Sequence, residues 1–161
     1  MTIRKATKAD YPRILAIYNH YIENSTATME WDTLSLDAFS ERLCRITEKY
    51  PLLVYEEDGV IWGYAYLDAF HERKGYHTSC DLSIYCDKDA RGRGIGRRLT
   101  NAILAMARDM GMTHVISIIT TENEDSLRFH ERMGFVEEGR LNNVCEKFSR
   151  RIGTVYMVKE L

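Results

Sequence analysis

Hydrophobic positions along this 161-residue chain change period several times, and each change marks an element. Residues 2–6 alternate weakly, as an edge strand does. Ile14, Leu15, Ile17, Tyr18, Tyr21 and Ile22 then recur at three- and four-residue spacing, which predicts an amphipathic helix ending near Glu23. Asp10 is placed to cap it, and Pro12 falls in the first turn, where a missing N–H costs nothing. Residues 24–33 read as a polar loop carrying Met29 and Trp31, two side chains expected to pack. Ser35 caps a second helix, with Leu36, Phe39, Leu43 and Ile46 on one face.

The period then shortens. Residues 51–56 (PLLVYE) and 60–69 (VIWGYAYLDA) read as paired strands around Glu57-Asp58-Gly59, a hairpin turn slightly longer than two residues. Residues 70–78 form a charged, aromatic loop without periodicity, and 79–86 another strand. The main helix covers 95–110 and ends at Gly111. Residues 113–120 (THVISIIT) are a β-branched run of the buried, parallel type. A polar break at 121–125 leads into a short helix, 126–133, stopped by Gly134. Residues 135–141 and 153–161 complete the pattern as strands joined by a basic stretch, 147–151. The order β-α-α-β-β-β-α-β-α-β-β predicts an α/β fold with a mixed sheet and helices on both faces.

Within this pattern the segment 82–107 carries the first chemistry. A short apolar strand feeds the turn Asp87-Lys88-Asp89-Ala90, then Arg91-Gly92-Arg93-Gly94-Ile95-Gly96, then a helix. Glycines let the backbone approach a ligand closely, the helix N-terminus adds positive potential, and arginines add mobile charge, so the turn is suited to a diphosphate. The spacing excludes a dinucleotide fingerprint, because Arg97 or Leu99 stands where its last glycine belongs. It also excludes a P-loop, since Gly96 is followed by Arg97 and Arg98. A solvated basic turn is the bland alternative.

Composition narrows the classes. A chain this long is one domain, 1–161, with at most two lobes sharing a sheet. Net charge is −2, which favours neither nucleic acid nor an acidic membrane as partner despite the arginine cluster. Cys44, Cys80, Cys86 and Cys145 form no Cys-x-x-Cys pair and read as free thiols in a reducing compartment. With neither a signal pattern nor a long apolar run, a cytoplasmic location is expected. His20, His71, His77 and His114 show no paired spacing, so no metal site is expected.

A second cluster follows: Asn123-x-x-Ser126-x-x-x-His130-Glu131-x-x-Gly134-Phe135. Asn123 stands at a strand-to-helix break, where its amide is placed to bond backbone and ligand. Positions 126 and 130 stack on one helix face.

Arg91-x-x-Gly94-x-Gly96 resembles the coenzyme A pyrophosphate loop of the GCN5-related N-acetyltransferases. The element order is similar to that fold over nearly the whole chain. Further stretches resemble the phosphinothricin-type subgroup: residues 17–22 (IYNHYI), 25–28 (STAT), Phe70-x-x-Arg73-x-x-Tyr76, Gly134-Phe135, Gly139-Arg140-Leu141 and Lys147-Phe148. The resemblance implies acetyl-CoA as co-substrate. It implies cofactor contacts from Gly92, Arg93, Gly94, Ile95, Gly96 and Arg97 beside Arg91, from Asn123 and Ser126, and from the strand backbone at Ile84, Tyr85 and Cys86. It also implies a small amino acid or analogue as acceptor, of the phosphinothricin, methionine sulfone or methionine sulfoximine kind, and a homodimer.

The chemistry itself sets requirements. A lysine-like amine is protonated at neutrality, and presenting its lone pair costs roughly 4–5 kcal/mol. A carboxylate or water chain must take that proton, and the developing oxyanion needs a donor, usually a backbone N–H. Asp81 is the candidate base, one methylene shorter than the subgroup's glutamate, so a bridging water is expected; a structural ion pair is the alternative. His130 is placed to donate to the thiolate, order the cofactor or shuttle a proton, or else simply to pack. Arg73 is suited to clamp a carboxylate, with Tyr76, Tyr85 and Thr26 walling the pocket. Direct attack in a ternary complex is expected, since no cysteine has a recognisable histidine partner. A protein N-terminus, a polyamine, or coenzyme A binding without catalysis are the other readings.

Overall fold

The computed structural model describes residues 1–90 and 92–161, and Arg91 lies outside the described residues. Seven strands form one sheet in the order β1-β2-β3-β4-β5-β7-β6. They are β1 (Thr2–Lys5), β2 (Leu52–Glu57), β3 (Val60–Ala69), β4 (Ser79–Cys86), β5 (His114–Thr120), β6 (Val136–Lys147) and β7 (Arg150–Glu160). The helices are α1 (Tyr11–Asn24), α2 (Leu36–Thr47), α3 (Ile95–Asp109) and α4 (Glu124–Arg132). All strand pairs are antiparallel except β4–β5. The expected mixed, mostly antiparallel sheet is present.

Alternation along the strands divides the core. Leu52 and Val54 of β2 point with Tyr64 towards α1 and α2, where Ile14, Ile22, Phe39 and Leu43 are buried. Leu53 and Tyr55 point the other way with Leu67, Leu82 and Val115, against Ile95, Leu99 and Ile103 of α3. Burial on both faces explains why β2 reads as a continuous apolar run. Leu127 and Met133 pack α4 on the α3 side.

Three local expectations change. Asp10 does not cap α1 with its side chain; its carboxylate instead takes two bonds from Arg4, at 2.7 and 2.9 Å, and one from the Thr7 N–H. The ion pair with Arg4 outcompetes a neutral cap. The β2–β3 turn is two residues, Asp58 and Gly59, both at positive φ, with Glu57 paired to Val60. The basic stretch 147–151 is not a linker. Lys147 pairs with Arg150, so β6 and β7 run on to a two-residue turn at Phe148 and Ser149, again both at positive φ. Ser35 caps α2 as expected, accepting from the Ala38 N–H at 3.2 Å.

Candidate active site

The parallel pair β4–β5 is short. Ser79, Cys80 and Asp81 pair with His114, Val115 and Ile116, and pairing stops there. Beyond it the strands part, and the Ser117 hydroxyl reaches the Leu82 carbonyl at 3.4 Å in place of a backbone partner. The opening is a cavity of about 430 Å³ lined by residues 82–86, by Ser117, Ile118 and Ile119, and by α4.

Strand alternation decides which backbone groups face this opening. The Asp87 N–H donates to the Trp62 carbonyl of β3 at 2.8 Å. Since N–H directions alternate along a strand, Tyr85 and Ser83 turn their amides to β3, while Cys86, Ile84 and Leu82 turn theirs to the gap. The Cys86 carbonyl accepts from the Tyr21 hydroxyl at 2.6 Å, as this phase requires. Between Leu82 and Cys86, Ile84 presents its N–H and C=O to the opening with no strand opposite. Tyr85 therefore contributes its side chain, not its backbone, to the cavity. Its ring packs against Tyr18, Tyr21 and Tyr64, and its hydroxyl donates to the Ala27 carbonyl at 3.4 Å.

Because β4 and β5 are parallel, both carboxyl ends arrive at the same edge, each followed by a helix N-terminus. The two N-termini differ. At α4 the Asn123 side chain accepts from the Ser126 N–H at 3.3 Å, and Glu124 and Asp125 complement the dipole. At α3 the cap is Gly94, with no side-chain bond and no acid in the first turn. Among the described residues the Arg98 N–H makes the first helical bond there, donating to the Gly94 carbonyl at 3.2 Å. Of the two, α3 is the N-terminus left open to an anion.

Gly92 and Gly94 sit at φ +77° and +72°, and a Cβ on either would point into open space. A second opening beside them is lined by Gly92, Gly94, Ile95, Gly96, Arg97, Asn101 and Arg132, and it shares Cys86, Gly92, Gly96 and Phe129 with the first. Gly96 lies against Phe129 of α4, which brings the two helix ends together. Arg93 is turned away, ion-paired with Glu57 and stacked 4.7 Å from the Trp62 ring. Among the described residues Arg97 lines the opening at the glycine turn, and Arg132 and Asn101 are additions that their helical positions hid.

The candidate base is buried. Asp81 Oδ1 has no hydrogen-bond partner, and burial together with Asp68 on the facing strand pushes the carboxyl up to about 7. It sits one residue deeper than the first lining residue of β4. A group poised at neutrality is what proton abstraction needs.

His130 is 2% exposed, wedged edge-on between Phe129 and Phe135. Its Nδ1 lies 2.8 Å from the Ser126 carbonyl, so Nδ1 carries the proton and Nε2 is the lone pair, sealed without a partner. Burial lowers its pKa, so at neutrality it has no proton to give from Nε2. This favours the ordering role over proton donation.

The structure does not bring Arg73 and Tyr76 to the cavity. They lie in the exposed 70–78 segment, where Tyr76 packs on Phe70 and His71. Thr26 is near the site but its hydroxyl is spent on Glu122 at 2.9 Å. Trp31 is 65% exposed rather than packed, and its indole N–H donates to the Glu146 carbonyl at 2.8 Å. All four cysteines are free, and burial pushes the Cys86 thiol up to about 11, which leaves it a poor nucleophile at neutral pH. Among the described residues no three His, Cys, Asp or Glu side chains are grouped to hold a metal.

Strand amides facing a gap, a helix N-terminus without a side-chain cap and a buried carboxylate thus gather around one opening. Residues 3–155 match the acetyltransferase (GNAT) domain, and the chain belongs to that family of acetyltransferases. It is 34% identical over its full length to an L-amino acid N-acyltransferase, MnaT, of Escherichia coli K12, covering 94% of that protein. It superposes on a phosphinothricin acetyltransferase of Sinorhizobium meliloti, solved with AcCoA, at TM-score 0.95 and 32% identity, over 99% and 88% of the two chains. A ribosomal-protein-alanine N-acetyltransferase of Brucella melitensis gives TM-score 0.96 and 36% identity over the whole of both chains.

Proposed function

We propose that this acetyltransferase moves the acetyl group of acetyl-CoA to the amine of a small amino acid or analogue of the phosphinothricin, methionine sulfone or methionine sulfoximine kind. The observation that carries the reading is the β4–β5 opening, with Ile84 unpaired on one side and the uncapped α3 N-terminus at its end. The residues present fit the co-substrate: amides of 95–97 and the Arg97 side chain for the diphosphate, with Asn123 and Ser126 lining the arm's path. Acetyl-CoA supplies an activated thioester. The chain supplies the Ile84 N–H as the donor towards developing negative charge, and Asp81 as the acceptor of the amine proton, through water at this depth. Attack is direct, because the nearby Cys86 thiol stays protonated.

A protein N-terminus is the second reading, favoured by the name of the Brucella relative. Thiol release from acetyl-CoA, followed over a panel of amino acids, their analogues and an alanine-headed peptide, separates the two. Turnover with free amino acids supports the proposal; turnover with the peptide alone overturns it. Charge reversal at Arg73 tests the exposed loop: a KM raised for a carboxylate-bearing acceptor alone would bring Arg73 to the bound substrate, and an unchanged KM keeps it outside the site as in this structure.

The same proposal places the enzyme in the cytoplasm as a homodimer of one catalytic domain. Four free cysteines suit a reducing compartment. Among the described residues no helix is long and apolar enough to cross a membrane. Edge strand β6 exposes Val136, Leu141 and Val144, which suits pairing with a second copy. Light scattering on the wild type and on Val144→Lys checks this.

A further inference from the structure

Lys147 is 1% exposed, yet no carboxylate pairs with it. Its Nζ donates to two backbone carbonyls, Ser25 at 2.8 Å and Thr28 at 2.9 Å. A lysine stripped of water and hydrogen-bonded to carbonyls rather than to a carboxylate is uncommon, because burial opposes the charged form; here the more distant charge of Glu30 works the other way. The Phe148 ring, 5.1 Å from Nζ, covers the ammonium.

The two carbonyls belong to the irregular segment that leaves α1 and walls the cavity through Ala27. Besides local bonds such as Ser25 to Tyr21 and the Ala27 N–H to the Ser25 hydroxyl, several groups of that segment are tied to parts distant in sequence. The Ala27 carbonyl takes the Tyr85 hydroxyl, and Thr28 Oγ1 meets the Tyr18 hydroxyl at 2.8 Å. Thr26 bonds Glu122, which Arg150 of β7 holds at 2.8 and 3.0 Å. Trp31, at the far end, donates to Glu146. The tip of the β6–β7 hairpin therefore grips this loop from both of its strands, and the left-handed turn at Phe148 and Ser149 directs Lys147 inward. A compact ammonium with three donors can bridge carbonyls three residues apart; an apolar side chain cannot.

We propose that Lys147 is a positioning residue for the acceptor: it replaces the missing backbone partners of residues 25–28 and so fixes the amine-side wall of the cavity. The proposal rests on the acetyl-transfer reading for its kinetic consequence only. Among the described residues, α3 and residues 92–96, which the acetyl-CoA reading assigns to the diphosphate, share none of these contacts.

Lys147→Met is expected to raise KM for the amine at least tenfold while KM for acetyl-CoA stays within twofold. Amide hydrogen exchange, which needs no substrate, should accelerate over residues 25–31 and stay unchanged over 92–98. Trp31→Phe removes an exposed contact of the same strap and serves if Lys147→Met fails to fold; it should show the same selective change, smaller. Unchanged exchange over 25–31 overturns the proposal, as does an equal rise in both KM values. A wild-type enzyme inactive on every amine would sink the acetyl-transfer reading and leave the exchange result standing.

Discussion

Asp81 and Asp68 stand directly opposite each other on β4 and β3, two carboxylates in one cross-strand pair. Asp68 has relief from Arg45 at 3.3 Å and from the Ala69 N–H at 2.8 Å, whereas Asp81 Oδ1 has no partner. The burden of the like charge and of burial thus falls on Asp81, lifted from 3.8 to about 7. The rate should rise with pH through an apparent pKa near 7. Asp68→Asn should move this limb to lower pH. Asp81→Asn should cut kcat/KM by about 10²-fold and remove the limb. The folded state keeps a proton that the unfolded chain gives up from about pH 4. Stability from this group is therefore full below that pH and is lost as pH rises through the folded value. Asp81→Asn should stabilise the fold at pH 8 by roughly 1–3 kcal/mol and change little at pH 4, read by thermal melts. A pH–rate profile identical in all three proteins would remove Asp81 from the mechanism.

Gly94 and Gly96 separate backbone need from ligand need. Gly94 is left-handed, so Gly94→Ala strains the turn by about 1 kcal/mol and should weaken coenzyme A binding roughly tenfold. Gly96 has an ordinary backbone, and its Cβ would meet the Phe129 ring at 3.4 Å and the Cys86 Sγ at 3.8 Å. Gly96→Ala should melt like wild type yet bind coenzyme A more weakly, because the added methyl sits where the diphosphate approaches. Calorimetry that finds both variants binding as wild type would move the anion elsewhere.

His130→Phe keeps the packing between Phe129 and Phe135 and removes the bond to Ser126. Activity should stay within about tenfold, as expected of an ordering group. His130→Ala opens a cavity and should cost about 2–4 kcal/mol in denaturant melts. A loss of kcat beyond about 10³-fold in a normally folded His130→Phe would instead assign the imidazole a proton-transfer role.

Asp10 is held down to about 2 by Arg4, with help from Thr7. Its contribution is present above the ordinary carboxylate range and is lost as pH falls through the folded value. Asp10→Asn should cost about 1 kcal/mol at pH 7, solvent at the half-exposed Arg4 limiting the effect, and nothing near pH 2. Melts across that range check the sign.

Local signals carried the elements well wherever one face was buried. The 3.6-residue stripe of α1, the Ser35 cap and the apolar run of β5 all sit as their patterns require, because burial of one face leaves the chain little choice. The β6–β7 hairpin was harder. Its long edge strand is exposed over most of its length, so no alternation announced residues 142–147, and its turn uses Phe148 and Ser149 at positive φ without a glycine to mark it. The glycine turn was legible because glycine is the residue that φ +77° and +72° favour.

What the chain order alone determined is the list of parts: strand, glycine turn, helix, and a second strand-to-helix break at Asn123. What only the tertiary structure decided is their relation. Parallel pairing that stops at Asp81 opens the gap, phases Ile84 towards it and turns the Tyr85 backbone away. Packing settles that Arg93 goes to Glu57 and Trp62, that Asp81 is isolated, and that Lys147 meets carbonyls about 120 positions away in the chain. Periodicity and turn chemistry act between near neighbours, so they are written locally. Burial, charge pairing and strand register are long-range sums, and they take their values only when the sheet has closed around them.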